Sequence, residues 1–213
     1  RGMFAFSFYD EKEDSFYLAR DRIGQKPLFY YQDENTLLFA SELKSLKKLM
    51  QLNDIAIQIN ENAIYHYLCF SNIPEPETIY KNVFAVPPAH FLKYQKGEIS
   101  ISSYWKHQYL PKENISFLEA KEKVQQSIED SVKIRLRADV KKGLFLSGGW
   151  DSSVIALEAA KHEQDLQAFT VEYPFQTTQN ESKIASETAE KFGLKHEIIK
   201  IDKSPLSLLE KSI

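Results

Sequence analysis

Seven consecutive residues, Ser147-Gly148-Gly149-Trp150-Asp151-Ser152-Ser153, gather hydroxyls, glycines and a carboxylate directly behind the apolar run Leu144-Phe145-Leu146. Two glycines let backbone amides turn inward and approach an anion closely. The stretch Val154 to Lys161 reads as a helix, whose N-terminus adds unpaired N–H groups and the favourable end of a dipole. Ser147, Ser152 and Ser153 carry hydroxyls able to donate to phosphate oxygens. Asp151 can cap the helix or help hold a cation such as Mg²⁺. The pattern describes a phosphate cradle lacking the Gly-Lys-Ser/Thr ending of a Walker loop, whose lysine grips the terminal phosphates. The alternative is a tight strand-to-helix turn that binds nothing.

The second half of the chain supplies the elements that would hold such a loop. Ser116-Phe117-Leu118-Glu119 has the spacing of a capping box. It opens a helix running to about Arg137, with Val124, Ile128 and Val132 along its inner face. Strands are expected over Gly143 to Leu146, Leu166 to Val171 and His196 to Ile201. Helices fall between them, over 152–161 and over Glu181 to Phe192, the latter ended by Gly193. Strands alternating with helices predict an open parallel α/β sheet, whose ligands belong at the carboxyl ends of the strands. The phosphate loop lies at one such end.

The first half reads differently. Phe4 to Tyr9 and Ser15 to Arg20 are apolar strands around a charged turn, and Phe4 to Tyr9 is expected in the core. Leu28 to Tyr31 and Thr36 to Ala40 flank Asp33-Glu34-Asn35, a hairpin signal. A short helix starts at Ser41, and Asn60 is placed to cap a helix over Glu61 to Phe70, with Ile64, Tyr67 and Leu68 on one face. His90 to Tyr94 and Ile99 to Ile101 form a further hairpin. Residues 1–107 thus predict an α+β, β-rich domain, 108–115 a linker, and 116–213 the α/β domain.

Bulk properties narrow the function. Hydrophobic residues make up 43% of the 213, enough for two modest cores. With 27 basic against 30 acidic residues the net charge is −3, and no basic excess points to nucleic acid. No stretch approaches the ~20 apolar residues of a membrane span. One cysteine, Cys69, excludes a disulfide framework and fits a reducing, cytoplasmic compartment. Cys69 sits between Leu68 and Phe70 and reads as a buried core thiol. The five histidines show no metal spacing and read as structural or surface residues. Lys133, Arg135, Arg137, Lys141 and Lys142 either attract a nucleotide or solvate a helix face; Arg20, Asp21, Arg22 and Lys26 are expected to fix a turn. Arg1 enters a strand pattern at once and 211–213 reads as mid-helix, so both ends read as cuts.

Ser147-Gly148-Gly149-Trp150-Asp151-Ser152 resembles the pyrophosphate loop of ATP pyrophosphatases, which cleave ATP between the α- and β-phosphates. The wider chain resembles the glutamine-hydrolysing asparagine synthetase family. The matching stretches are Arg1 to Phe6, Ala19 to Tyr30, Leu38 to Lys44, Tyr67-Leu68, Ile79-Tyr80, Val86 to Phe91 and Tyr104-Trp105. They continue through Arg135 to Val140, the loop, Phe169-Thr170-Val171 and Glu181-Ser182. The resemblance implies part of an N-terminal-nucleophile glutaminase followed by the start of an ATP-pyrophosphatase-type synthetase. It implies glutamine, aspartate and ATP as substrates, Mg²⁺, ammonia passed internally, and β-aspartyl-AMP releasing AMP on amide formation; it also implies a homodimer. By matching position, Leu146, Ser147, Gly148, Gly149, Asp151, Ser152, Ser153 and Val171 would bind ATP and its pyrophosphate, with Leu146 and Val171 on the nucleoside side. The family's nucleophilic cysteine would lie upstream of Arg1. Trp150 stands where the family usually has leucine, and Glu172 where glycine is common, which leaves the acceptor carboxylate open. A relative acting on another carboxylate and a non-catalytic nucleotide-binding remnant are the competing readings.

Overall fold

A computed structural model describes residues 2–34, 36–173 and 181–201. The expected chain-terminal helix at 211–213, and Asn35 of the expected hairpin turn, lie outside them. The chain divides into two compact units, one through Pro111 and the other from Lys112.

The first unit is built of antiparallel strands. Strands β1 (Ala5–Asp10), β2 (Ser15–Arg20), β6 (His90–Gln95) and β7 (Glu98–Ser103) form one sheet in the order β1-β2-β6-β7. Strands β3 (Phe29–Gln32), β4 (Leu37–Ala40) and β5 (Val83–Ala85) form a second, in the order β4-β3-β5. Alternation decides the layers. Leu18 and Leu92 of the first sheet pack with Tyr30 of the second, together with Leu28 and Val86. Tyr31 and Val83, on the other face of the second sheet, pack against Leu46 and Met50 of helix α1 (Leu43–Leu52).

The expectation of a core strand at Phe4 to Tyr9 is corrected here. Phe6, Phe8 and Tyr9 are each about half exposed. β1 is an edge strand, and Phe6 and Phe8 pair with Ala19 and Tyr17. Phe8 meets the Tyr17 ring at 5.9 Å, and Tyr17 meets Phe91 at 6.2 Å, so the aromatics cover one another on the outer face. Helix α2 (Glu61–Phe70) has the expected bounds, with its apolar face exposed. Ile64, Tyr67 and Leu68 point outward and only Ala63 is buried. Asn60 occupies the N-cap position but its side chain caps nothing; its amide reaches the Thr78 carbonyl at 3.4 Å.

The turn after β2 is held by two buried charges. The Asp21 carboxylate, 1% exposed, accepts the backbone N–H groups of Phe4, Ile23, Gln25 and Lys26. Arg20 donates to the carbonyls of Gly24, Lys26 and Val86 and pairs with Glu75 at 2.8 Å. Gly24 has φ of 68°, and a Cβ there would lie 2.9 Å from both Arg20 and Pro88, so the turn admits only glycine. Arg20 and Asp21 fix the turn, as expected. Lys26 joins through its backbone, and Arg22 lies over the Trp105 ring at 5.4 Å.

The second unit is α/β. Strands β8 (Gly143–Phe145), β9 (Gln167–Glu172) and β10 (Lys195–Lys200) are parallel, in the order β10-β9-β8. Helices α3 (Phe117–Arg135), α4 (Trp150–His162) and α5 (Glu181–Lys191) complete it. Ser116 and Glu119 form the expected reciprocal capping box of α3. Along α3, Val132 is buried with Ala159 and Leu166 and Ile128 packs against them, but Val124 is largely exposed, so the inner face is shorter than the apolar pattern suggests. Leu146, Ala156, Ala168, Ala185 and Ala189 form the core between sheet and helices. Gly193, at φ of 67°, turns the chain out of α5 into β10. Among the described residues no helix is long and apolar enough to cross a membrane.

Burial pushes the Asp21 carboxyl up, but the four N–H groups outweigh it and hold it below its ordinary value of 3.8. A depressed carboxyl contributes stability that is complete above the ordinary value and is lost as pH falls through the folded one. Asp21→Asn turns an NH₂ toward two N–H donors and should cost about 3 kcal/mol near neutral pH. Thermal unfolding followed from neutral pH down to about pH 3 should show a shallower acid loss in the variant than in the wild type.

Candidate phosphate-binding site

β8 is short, and the loop it feeds is fixed by its neighbour. The N–H of Leu146 donates to the Phe169 carbonyl at 2.8 Å, which extends the parallel ladder one residue beyond β8. The Leu146 carbonyl accepts from the Thr170 hydroxyl at 2.6 Å. Leu146 itself is 2% exposed and belongs to the core. Both polar groups of the residue before the loop are therefore held by β9, and Ser147 begins from a fixed point.

The loop then closes on itself. Ser152 Oγ accepts the N–H of Ser147 at 3.3 Å and lies 2.9 Å from Ser147 Oγ. It also lies 3.1 Å from the Gly149 carbonyl, while Ser153 Oγ donates to that carbonyl at 2.8 Å. The serine hydroxyls expected to face an anion are, as placed, bonded within the loop. Gly149 is the N-cap of α4 in extended conformation, with no side chain capping the helix. The first-turn N–H groups of α4 are thus left without a side-chain acceptor, the condition under which a helix N-terminus receives an anion. A Cβ on Gly148 would lie 3.4 Å from Ile184, so the loop rests closely on α5.

Asp151 is the second residue of α4, exposed, and outside any hydrogen bond or ion pair among the described residues. Gly149 holds the cap position, so Asp151 is not the cap. Its free carboxylate suits Mg²⁺, which is commonly held by one or two carboxylates together with phosphates and water. No group of three or more His, Cys, Asp or Glu among the described residues could hold a metal without such a ligand. Val171 is half-buried near the carboxyl end of β9, beside Thr170. The structure therefore brings all the expected site residues to one edge of the parallel sheet.

Trp150 is 89% exposed on the loop. Other expectations are corrected. Cys69 is exposed rather than a core thiol, because α2 turns that side outward. Lys133 pairs with Glu129, Lys142 with Glu163, and Arg135 donates to the Ser131 carbonyl, so these three bases are engaged locally. Among the histidines, His196 is more than a surface residue. Its Nε2 lies 2.7 Å from Thr170 Oγ1 and its Nδ1 lies 3.3 Å from Ser186 Oγ. Thr170 and Ser186 had no role in the sequence reading. A threonine inside an apolar strand was the available signal.

A parallel sheet with a serine- and glycine-rich loop at its carboxyl edge, in one chain with an antiparallel two-sheet unit, defines a mixed α/β architecture of two compact units. Two family models match it: one described as a glutamine amidotransferase domain over residues 1–105, the other as asparagine synthase over residues 123–211. "Asparagine synthetase [glutamine-hydrolyzing] 1" of Bacillus subtilis is 37% identical over 197 residues, covering 92% of this chain and 30% of the relative. "Putative asparagine synthetase [glutamine-hydrolyzing] 2" of Methanocaldococcus jannaschii is 39% identical over 158 residues, covering 72% of this chain and 30% of the relative. "Amidase chry2" of Gibberella zeae is 29% identical over 224 residues, covering 97% and 32%. The chain belongs to the glutamine-hydrolysing asparagine synthetase family and spans parts of both its domains. It covers about a third of the length of these relatives.

Space around Gly148 yields a prediction. Gly148→Ala adds a methyl at ordinary contact distance from Ile184. Stability should stay within about 1 kcal/mol. Gly148→Val drives further methyls toward α5 and should cost about 1–3 kcal/mol. Thermal unfolding of the two variants should separate them in that order.

Proposed function

We propose that the whole protein makes asparagine from aspartate, with ATP cleaved to AMP and pyrophosphate and glutamine as the ammonia source. The observation that carries this reading is the uncapped, serine-lined turn at the start of α4, with the free Asp151 carboxylate beside it. On this reading residues 1–107 belong to the glutaminase domain, 108–115 link it, and 116–213 open the synthetase domain. The glutaminase nucleophile lies upstream of Arg1, and Cys69 takes no part. The protein is taken as cytoplasmic and homodimeric.

Each residue has a task. The N–H groups of Gly148, Gly149 and the first turn of α4 receive the β- and γ-phosphates that leave as pyrophosphate. The hydroxyls of Ser147, Ser152 and Ser153 turn from their bonds within the loop to phosphate oxygens. Asp151 would hold Mg²⁺, which neutralises phosphate charge when bound. Val171, half-buried near the carboxyl end of β9, faces the nucleoside, and Leu146, with its side chain in the core, supports the loop from beneath. The chemistry needs this apparatus because a carboxylate is a poor electrophile; joining it to AMP provides a good leaving group. Ammonia then attacks the acyl carbon, AMP departs, and the ammonia must travel sealed from water to stay unprotonated.

A second reading keeps the same adenylation but changes the acceptor. The relative named "Amidase chry2" shares the length of this chain, and Trp150, exposed on the loop, stands where leucine is usual.

The full-length protein, given Mg²⁺, ATP, ammonium and a panel of carboxylates, should release AMP and pyrophosphate with aspartate and form asparagine. Asp151→Ala should reduce that rate at least about tenfold. Turnover only with another carboxylate selects the second reading. Release of ADP and phosphate, or no turnover with any acceptor, refutes the adenylating mechanism.

A further inference from the structure

A chain of hydrogen bonds leads from the phosphate loop across the sheet to β10, and its protons can be counted. The Leu146 carbonyl can only accept, so the single proton of the Thr170 hydroxyl is committed to it at 2.6 Å. Thr170 is 4% exposed, and water does not substitute for that bond. Its remaining capacity toward His196 Nε2, at 2.7 Å, is a lone pair. His196 must therefore carry its proton on Nε2. The other ring nitrogen is compatible with this tautomer. The Ser186 proton has two acceptors, the Ser182 carbonyl at 2.8 Å and Nδ1 at 3.3 Å, and with either choice Nε2–H is retained. His196 sits inside β10, opposite Ala168 of β9, so the ring is carried by the sheet rather than by a loop.

We propose that His196 is a positioning residue for the phosphate loop: its Nε2–H orients the Thr170 hydroxyl onto the Leu146 carbonyl and so fixes the residue from which Ser147 departs. It touches neither nucleotide nor acceptor. The role rests on the pyrophosphate-loop reading above. Without the imidazole the buried Thr170 oxygen loses the donor that faces its lone pair, and its bond to the Leu146 carbonyl, one of the two that hold the loop's entry, loses the partner that orients and polarises it.

The test uses the full-length protein and variants chosen by the position of the donor. A glutamine amide nitrogen reaches about as far as Nε2, whereas an asparagine amide stops near the place of Nδ1. His196→Leu should raise the KM for ATP about fivefold, the size of one net hydrogen bond, and leave the KM for the acceptor carboxylate unchanged. His196→Gln should restore the ATP value, and His196→Asn should not. Thr170→Val should match His196→Leu, and the double variant should be no worse than either single one. Fully additive effects, a glutamine variant no better than leucine, or an equal rise in both KM values would overturn the proposal. Amide hydrogen exchange over 146–153 separates this question from the activity itself. If the wild type turns over no ATP, faster exchange in His196→Leu that His196→Gln reverses still supports the positioning role, and unchanged exchange refutes it.

Discussion

The second unit depends on how Leu146 is held. A loop of Ser-Gly-Gly has little of its own to define it, since glycine surrenders more freedom on ordering than any other residue. Ordering each backbone residue costs about 1–2 kcal/mol, more than one net hydrogen bond returns. Definition must come from the ends. At the entry, β9 takes both polar groups of Leu146 while the core takes its side chain. At the exit, α4 starts at once, and Ser153 ties its first turn back to Gly149. Ser152 joins the two ends by accepting the Ser147 N–H. Three glycine and serine residues are thereby suspended between two rigid elements.

The first unit solves a related problem with charge. Asp21 and Arg20 are neighbours in sequence and both nearly buried, an arrangement that is costly unless each charge is saturated. Asp21 is saturated by N–H donors and Arg20 by three carbonyls and the Glu75 carboxylate, so each takes from the turn what the other cannot. Between them they satisfy backbone groups that neither sheet reaches. The Arg20 carbonyl in turn accepts the Tyr104 hydroxyl at 2.6 Å, which ties the end of β7 to the same turn.

Much of this was legible in the sequence, because the signals are local. The capping box at Ser116 and Glu119, the turn at Gly193, the hairpins and the strand–loop–helix around Ser147 each depend on residues a few positions apart. What was not legible depends on neighbours distant in the chain. Phe6 and Phe8 read as core because an apolar strand does not say whether a further layer covers it. Cys69 read as buried from its flanking residues, although α2 has only Ala63 on its inner side. Asn60 held the N-cap position but had a better use for its amide, a carbonyl 18 residues on. The hydroxyl of Thr170 meets partners 24 and 26 residues away, a connection that no local pattern carries.

The site separates what must stay still from what must turn. Ser152 Oγ lies near four polar atoms, the N–H, hydroxyl and carbonyl of Ser147 and the carbonyl of Gly149, and one proton cannot serve them all. Its bonds are exchangeable by rotation about one side-chain torsion. Bonds to an ionised phosphate are roughly twice as strong as neutral ones, so on the proposed function an arriving pyrophosphate group would outcompete the carbonyls for these protons without moving the backbone. The Thr170 hydroxyl is the opposite case: with a carbonyl taking its proton and, on the tautomer inferred for His196, an imidazole N–H facing its lone pair, it has one arrangement. Hydroxyls inside the loop can therefore respond to a ligand, while the hydroxyl beneath it keeps the N–H groups aimed at one place. On that proposal the cradle would bind an anion by reorienting side chains on a backbone already ordered, with little further conformational entropy to lose.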